Sequence, residues 1–214
     1  MKDSRLYLKQ IEVGPMQNYI YLVGDREKRV CVMIDPAWEV ARVLKEAEKD
    51  EMQVASALVT HAHFDHVNGL DDFLKKVRGK VYCHRNETEF LKTWGSDLKP
   101  VDSGEKLSIG DIDITFLHTP GHTPGSQCFL VEDNLVSGDT LFIQACGRCD
   151  LPGGDAEQMY HSLKRLSELD EKVVLYPGHN YSDNPTSTIG QEKRWNPYLQ
   201  TKSLQDFLKF RMGK

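Results

Sequence analysis

No stretch of this 214-residue sequence approaches the roughly 20 consecutive apolar residues of a membrane span, and Met1 to Gln10 hold no apolar core of signal-peptide length. A membrane protein is thereby excluded as a reading, and cytoplasmic residence is the expectation. A basic excess is also missing: 27 Lys and Arg face 32 Asp and Glu, a formal net charge of −5 that gives no argument for nucleic acid. There is no disulfide framework, because the five cysteines are odd in number and scattered through strand-like or site-like segments. Cys146 and Cys149 form a C-x-x-C, but no second one completes a four-thiolate site and no thioredoxin-like context surrounds it, so it reads as incidental. No G-x-S-x-G elbow is present, which removes the usual serine hydrolase. Internal repeats and low-complexity linkers are absent too. What remains is 39% hydrophobic and 28% charged, the balance of a soluble globular chain, and its length predicts one core in a single domain over residues 1–214.

The periodicity predicts short strands at Leu6 to Val13, Asn18 to Val23 and Arg29 to Ile34, an antiparallel meander punctuated by Gly14-Pro15 and the polar turn after Val23. Trp38 to Lys49 places Val40, Val43, Leu44 and Ala47 at helical spacing, which predicts a helix covering a sheet. A strand at Val54 to Val59, a helix at Gly69 to Val77, a strand at Lys80 to His84 and a helix near Glu87 to Trp94 follow, so the sheet becomes mixed. The second half predicts strands at Glu105 to Ser108, Ile112 to Leu117, Ser126 to Val131 and Asn134 to Ser137, then a helix at Ala156 to Leu169 and a strand at Val173 to Tyr176. Two strand-rich halves with helices on one side each predict an α/β sandwich of two packed sheets. Beyond Pro185 the chain is polar until Leu204, Phe207 and Leu208, which predict a short helix packed on the core.

The strand at Val54 to Val59 runs into T-H-A-H-F-D-H, three histidines and an aspartate within six residues on a strand-to-helix loop. Imidazole and carboxylate together suit zinc or iron. His61 and His63, two apart on an extended start, can face one ion, while Asp65 and His66 lie past the turn and more naturally face a second position. The loop alone leaves two metals, or one metal with unused donors, both open. Three further turns each place a donor at a strand end: His122 in T-P-G-H-T-P-G, Asp139 in S-G-D-T and His179 in Y-P-G-H-N-Y. Such ends can converge on one edge of a sheet, and the seven donors together would fit two ions with a shared carboxylate. His84 and His161 read as structural, and His118 as at most a support for a ligand.

The series T-H-A-H-F-D-H, P-G-H-T-P-G, S-G-D-T-L-F and Y-P-G-H-N-Y resembles the metallo-β-lactamase superfamily over nearly the whole chain, and within it the glyoxalase II (hydroxyacylglutathione hydrolase) group and the persulfide dioxygenases. The resemblance implies an αβ/βα four-layer sandwich with the site at one edge of the two sheets. It implies one metal held by His61, His63 and His122, a second by Asp65, His66 and His179, and Asp139 bridging. Two divalent ions, zinc first with iron or manganese as alternates, would then serve hydrolysis of a small glutathione-derived thioester, with Asp65 orienting a metal-bound hydroxide.

Long glyoxalase II enzymes carry a helical C-terminal domain that this chain ends too soon to contain. At the place of their lysine the chain has Arg148, which can hold a glutathione carboxylate, and Tyr181 matches a family tyrosine that contacts the thiol ligand. The G-R-x-D of Gly147, Arg148 and Asp150 is shared by short glyoxalase II-like proteins and persulfide dioxygenases; Arg148 and Asp150 also read as a pair bracing their own loop. The alternative the resemblance allows is a dioxygenase with a single iron on His61 or His63, His122 and Asp139, oxidising glutathione persulfide. A non-catalytic metal-binding module ranks third, because structural zinc sites are closed four-coordinate cages.

Overall fold

In the computed structural model, which describes residues 4–213, the first sheet follows chain order through β1 (Leu6–Val13), β2 (Asn18–Asp25), β3 (Val30–Ile34), β4 (Gln53–Leu58), β5 (Val81–His84) and β6 (Leu98–Val101). β1 to β3 form an antiparallel meander and β3 to β6 run parallel. The change of sense follows from the connections. Short turns join the first three strands, whereas α1 (Val40–Lys49) crosses between β3 and β4, and α2 (Phe64–Val67) with α3 (Leu70–Lys76) cross between β4 and β5.

The second sheet holds β7 (Lys106–Ile109), β8 (Ile112–His118), β9 (Gln127–Val131) and β10 (Asn134–Gly138), antiparallel in sequence. A small hairpin, β11 (Leu141–Phe142) and β12 (Ala145–Cys146), and the helix α4 (Ala156–Ser167) then lead to β13 (Val174–Pro177), parallel to β10, with β14 (Ser187–Thr188) antiparallel at the edge. Two further helices, α5 (Ile189–Trp195) and α6 (Leu204–Met212), end the described chain.

Strand alternation sorts side chains into three cores. Tyr21, Val23, Val32, Ile34 and Leu58 from the first sheet meet Ile114, Phe116, Phe129 and Val136 from the second, so these faces pack on each other. The alternate residues Ile20, Leu22, Cys31, Met33 and Ala57 turn outward against Val40, Val43, Leu70 and Phe73 of α1 and α3. Cys128, Leu135 and Leu175 turn the other way against Met159, Leu163, Ile189 and Phe207 of the last three helices. The result is the expected four-layer α/β sandwich: helices, sheet, sheet, helices. No helix among the described residues is long and apolar enough to cross a membrane. The expected single domain over residues 1–214 reaches past the described residues at both ends.

Four local expectations need correction. The helix expected near Glu87 to Trp94 is instead two 3₁₀ turns, Arg85–Glu87 and Lys92–Trp94, because the Glu87 side chain is pulled into the interior to accept bonds from Ala62, Thr123 and Gly125. Strand β6 was hidden by Pro100, which is tolerated because β6 is an edge strand. The polar stretch after Pro185 contains β14 and α5; Thr188 caps α5 through Gln191 N–H, and Glu192 is buried against the Ser187 hydroxyl and the Gln144 and Asn196 N–H groups. His66 lies on the one-turn helix α2, not on an open loop.

Helix α6 seats Phe207, fully buried, against Tyr160 and Tyr198. Phe207→Ala is expected to cost about 3–5 kcal/mol of stability, read as a lowered denaturant midpoint with an unchanged slope.

Candidate metal centre

The two sheets are joined at one edge by backbone. Asn18 and His179 form an isolated bridge, Tyr19 N–H donates to Gly178 O at 2.8 Å, Asn180 N–H to Gln17 O at 2.8 Å, and Gln127 N–H to Thr60 O at 2.9 Å. These bonds join the start of β2 to the end of β13 and the end of β4 to the start of β9, while Gly178 N–H to Gly138 O at 2.9 Å and the pairing of Gln127 with His118 add the ends of β10 and β8; the donors stand on the loops at this edge. Two of the motif glycines exist for this closeness. A Cβ on Gly138, at φ +49°, would lie 2.6 Å from Thr60 Cβ, and one on Gly178 would lie 2.4 Å from Asp139 Oδ1.

His61, His63 and His122 present nitrogens within 4.8 Å of one another, and so do the donor atoms of Asp65, His66 and His179; His61, His66 and Asp139 form a third such group between them. The contacts are closer still. His61 Nε2 is 3.1 Å from His63 Nδ1, His66 Nε2 is 3.2 Å from His179 Nε2, and both of the latter are 3.4 Å from Asp65 Oδ2. Asp139 reaches both sets, with Oδ1 3.4 Å from His66 Nε2 and Oδ2 3.5 Å from His122 and His179 Nε2. Ligands about 2.0–2.1 Å from a tetrahedral ion lie about 3.3 Å from one another. The observed separations match the edges of such a coordination polyhedron.

The imidazoles are held with their lone pairs inward. Nδ1 of His66 meets Asp35 Oδ2 at 2.9 Å, that of His122 meets Arg148 O at 2.7 Å and that of His179 meets Met16 O at 2.9 Å. All three partners only accept, so Nδ1 carries the proton and Nε2 is the free donor atom. His61 follows by one more link: the Thr60 hydroxyl donates to Asp35 Oδ2 at 2.6 Å, so its oxygen accepts from His61 Nδ1 at 3.0 Å. Buried His122 Nε2 and Asp139 Oδ1 have no hydrogen-bond partner in the protein, an orphaning that a cation between them would relieve. The donor set therefore fits divalent metal.

Electrostatics points the same way. Burial lowers His61, and burial with His122 and His66 nearby brings His63 down to about 4, so both are neutral ligands at pH 7. Burial also works against charge on His66, but Asp139, Asp35 and Asp65 overcome it and raise that group to about 9. Burial opposes ionisation of Asp139 as well, yet His66 and His179 hold it well below the usual carboxylate range. Without a cation His66 therefore holds a second proton, on Nε2, and a metal binding there would displace that proton and free Nε2 as a ligand.

The remaining expected site residues divide. Arg148 is exposed and pairs with Asp150 through Nε–Oδ1 at 3.0 Å and Nη2–Oδ2 at 2.7 Å; its tie to the donors is its main-chain carbonyl under His122. Tyr181, also exposed, stacks on the His179 ring at 4.6 Å. His118 supports no donor imidazole: at the end of β8 it stacks at 3.7 Å on His84, at the end of β5, and its Nε2 meets Pro124 O at 2.9 Å. Cys146 and Cys149 pack in the outer core, and burial raises the Cys149 thiol to about 11.

Sequence reading missed the residues that hold the donors. Asp35 binds Thr60 N–H at 2.7 Å besides its bonds to Thr60 and His66, and Asn18 Nδ2 donates to Asp65 Oδ2 at 2.8 Å while Trp38 Nε1 steadies Asn18. Glu87, wholly buried, accepts from Ala62 N–H at 2.8 Å, Thr123 Oγ1 at 2.7 Å and Gly125 N–H at 2.7 Å, so one carboxylate ties the His61–His63 loop to the His122 loop. Asp35-Pro36, at the end of an apolar run that borders the histidine strand, was the available signal for Asp35.

The family model described as Metallo-beta-lactamase superfamily matches residues 13–179. The chain belongs to that superfamily. It is 33% identical over 198 residues to the Probable polyketide biosynthesis zinc-dependent hydrolase PksB of Bacillus subtilis (strain 168), covering 92% of this chain and 88% of the relative. It is 32% identical over 206 residues to the mitochondrial Persulfide dioxygenase ETHE1 of Bos taurus, covering 94% of this chain and 79% of that protein. The crystal structure of ETHE1 from Myxococcus xanthus superposes with a TM-score of 0.88 at 30% identity, covering 96% of this chain and 90% of the other. The superfamily fold is thus in place; the expected closeness to glyoxalase II draws no support from these relatives.

Asp35→Asn keeps the shape of a carboxylate but removes the charge facing His66 Nδ1. It is expected to weaken metal binding roughly 10- to 100-fold, measured by competitive chelator titration, with the folded far-UV circular dichroism spectrum retained.

Proposed function

We propose that the chain is a metal-dependent hydrolase acting on a thioester. The observation that carries this reading is the pair of complete donor triads flanking Asp139, each imidazole except His63 locked in its tautomer by the protein. In this reading His61, His63 and His122 hold one ion, Asp65, His66 and His179 the other, and Asp139 lies between. When bound, such a pair lowers the pKa of a water to near neutrality and polarises a carbonyl oxygen.

The protein's own work is positioning. Asn18 fixes Asp65, which would orient the attacking water; Asp35 holds Thr60 and His66 of the first loop, Glu87 ties that loop to the His122 loop, and the ring of Tyr181 stacks on His179. In the reaction the acyl C–S bond breaks, a C–O bond to water forms, and the proton of the water ends on the departing thiol. The name of the PksB relative, a zinc-dependent hydrolase, supports hydrolysis and zinc. A glutathione thiol has less behind it, since Arg148 already spends its guanidinium on Asp150.

A second reading, a mononuclear iron persulfide dioxygenase, is favoured by the ETHE1 relatives, one in sequence and one in structure, each of which covers almost the whole chain. They support it more directly than any relative above supports a glutathione thioester. Metal analysis of the purified protein with paired assays separates the two. Two ions per chain, thioester hydrolysis and no oxygen uptake are expected, with hydrolysis abolished by His63→Ala. One iron per chain, oxygen uptake with glutathione persulfide and no hydrolysis would overturn the hydrolase.

A further inference from the structure

A cavity of about 210 Å³ opens directly beside His63. Its walls are Ala62, Phe90, Pro124 and Pro152, and Glu87 and Thr123 form the rest of its lining. It lies on the flank of the His61, His63 and His122 set, whereas Tyr181 stacks on His179 beside the other set.

Apart from the His63 ring at its edge, whose Nδ1 meets His61 Nε2 at 3.1 Å, the polar side chains along this cavity are already committed. Both oxygens of Glu87 are occupied by the Ala62 and Gly125 N–H groups and the Thr123 hydroxyl. That hydroxyl is also 2.7 Å from Ser126 Oγ, and the Thr123 N–H donates to Ser126 Oγ at 3.0 Å. Pro124 has no N–H, and its carbonyl lies 2.9 Å from His118 Nε2 and 3.2 Å from Asn86 Nδ2. A hydroxyl or amide entering the cavity would give up its water for nothing in return. Hydrocarbon gives up nothing. At about 30 Å³ per small group, the liquid share of one water, the space takes about seven heavy atoms.

We infer that this cavity is the acyl pocket of the enzyme, and that it selects thioesters of short, unsubstituted aliphatic acids. The inference rests on the thioester-hydrolase reading above. The thiol half is excluded from the cavity because a thiol carrier with amide groups would strand them there, so it leaves along the Tyr181 flank. Phe90, 62% exposed, is the outer wall, and its removal opens the pocket without touching the core.

The test uses the metal-loaded protein and S-acyl-N-acetylcysteamine esters of increasing length. From acetyl to hexanoyl, four methylenes longer, kcat/KM is expected to rise about fourfold per methylene, about 250-fold in all, then to level off. A 6-hydroxyhexanoyl ester is expected to fall about tenfold below hexanoyl. Phe90→Ala is expected to lower the hexanoyl-to-acetyl ratio about tenfold, while Phe210→Ala, at an exposed site on α6, leaves that ratio as it is. A flat length profile, or a ratio unmoved by Phe90→Ala, overturns the pocket. If no ester of any length is cleaved, the hydrolase reading falls and calorimetry judges the pocket alone: hexanoate binding tighter than acetate, with the difference lost in Phe90→Ala, sustains it, and equal binding ends it.

Discussion

The Asp35 carboxylate is the interaction on which the geometry of the metal centre depends. It is buried, and it accepts from Thr60 N–H, Thr60 Oγ1 and His66 Nδ1 at 2.6–2.9 Å. Through Thr60 it orients His61 of one donor set, and directly it orients His66 of the other. One group therefore fixes two imidazoles that start from opposite sides of a helical turn. A charge buried this deeply is costly unless fully bonded, and here the bonding that compensates it is the same bonding that aims the ligands. Stability and site geometry are coupled at this carboxylate.

The sandwich supplies the rest by bringing strand ends to one edge. In each sheet the strand that changes the sense of pairing lies beside donor loops: β3 and β4 run parallel, as do β10 and β13, so their C-terminal ends open on the same side. Parallel pairing requires helical crossovers, and those crossovers are the outer layers of the fold. Thus the connections that bury the outer faces of the sheets also set the donors at the edge. The Asn18 to His179 bridge then closes the seam between sheets beneath the site.

Much of this was legible in the chain because the donors are written as local motifs. Three histidines and an aspartate in six residues, and single donors flanked by glycine, stand out against any background composition, and the apolar alternation before them shows which strands carry them. The supporting residues were not legible for the opposite reason. Asp35, Glu87 and Asn18 act over separations of 25 to 47 residues, and each is an ordinary polar residue in an ordinary turn or strand until tertiary packing gives it a partner. The helix expected after β5 failed on the same point. The segment has a helical pattern, but the three bonds to Glu87 outweigh the small propensity terms of a short helix. Strand β6 and the capped helix α5 were concealed by proline and polar composition, which mark edges and turns as often as loops.

The donors themselves do not choose the reaction. A hydrolase and a dioxygenase of this superfamily both resemble the chain over more than nine-tenths of its length, and either chemistry can draw on the same histidines and Asp139. Selection must then come from what surrounds the donors: how many ions are held, and which half of a substrate each flank accepts. The second triad here is as firmly oriented as the first, with Asp35 and the Met16 carbonyl behind its imidazoles and Asn18 behind its carboxylate. Orienting bonds of this kind bury polar groups and order side chains at a cost, and a position left without a ligand returns nothing for it. On the proposed dinuclear reading a second cation would recover that cost, and it would favour activation of water over binding of dioxygen at a single open iron.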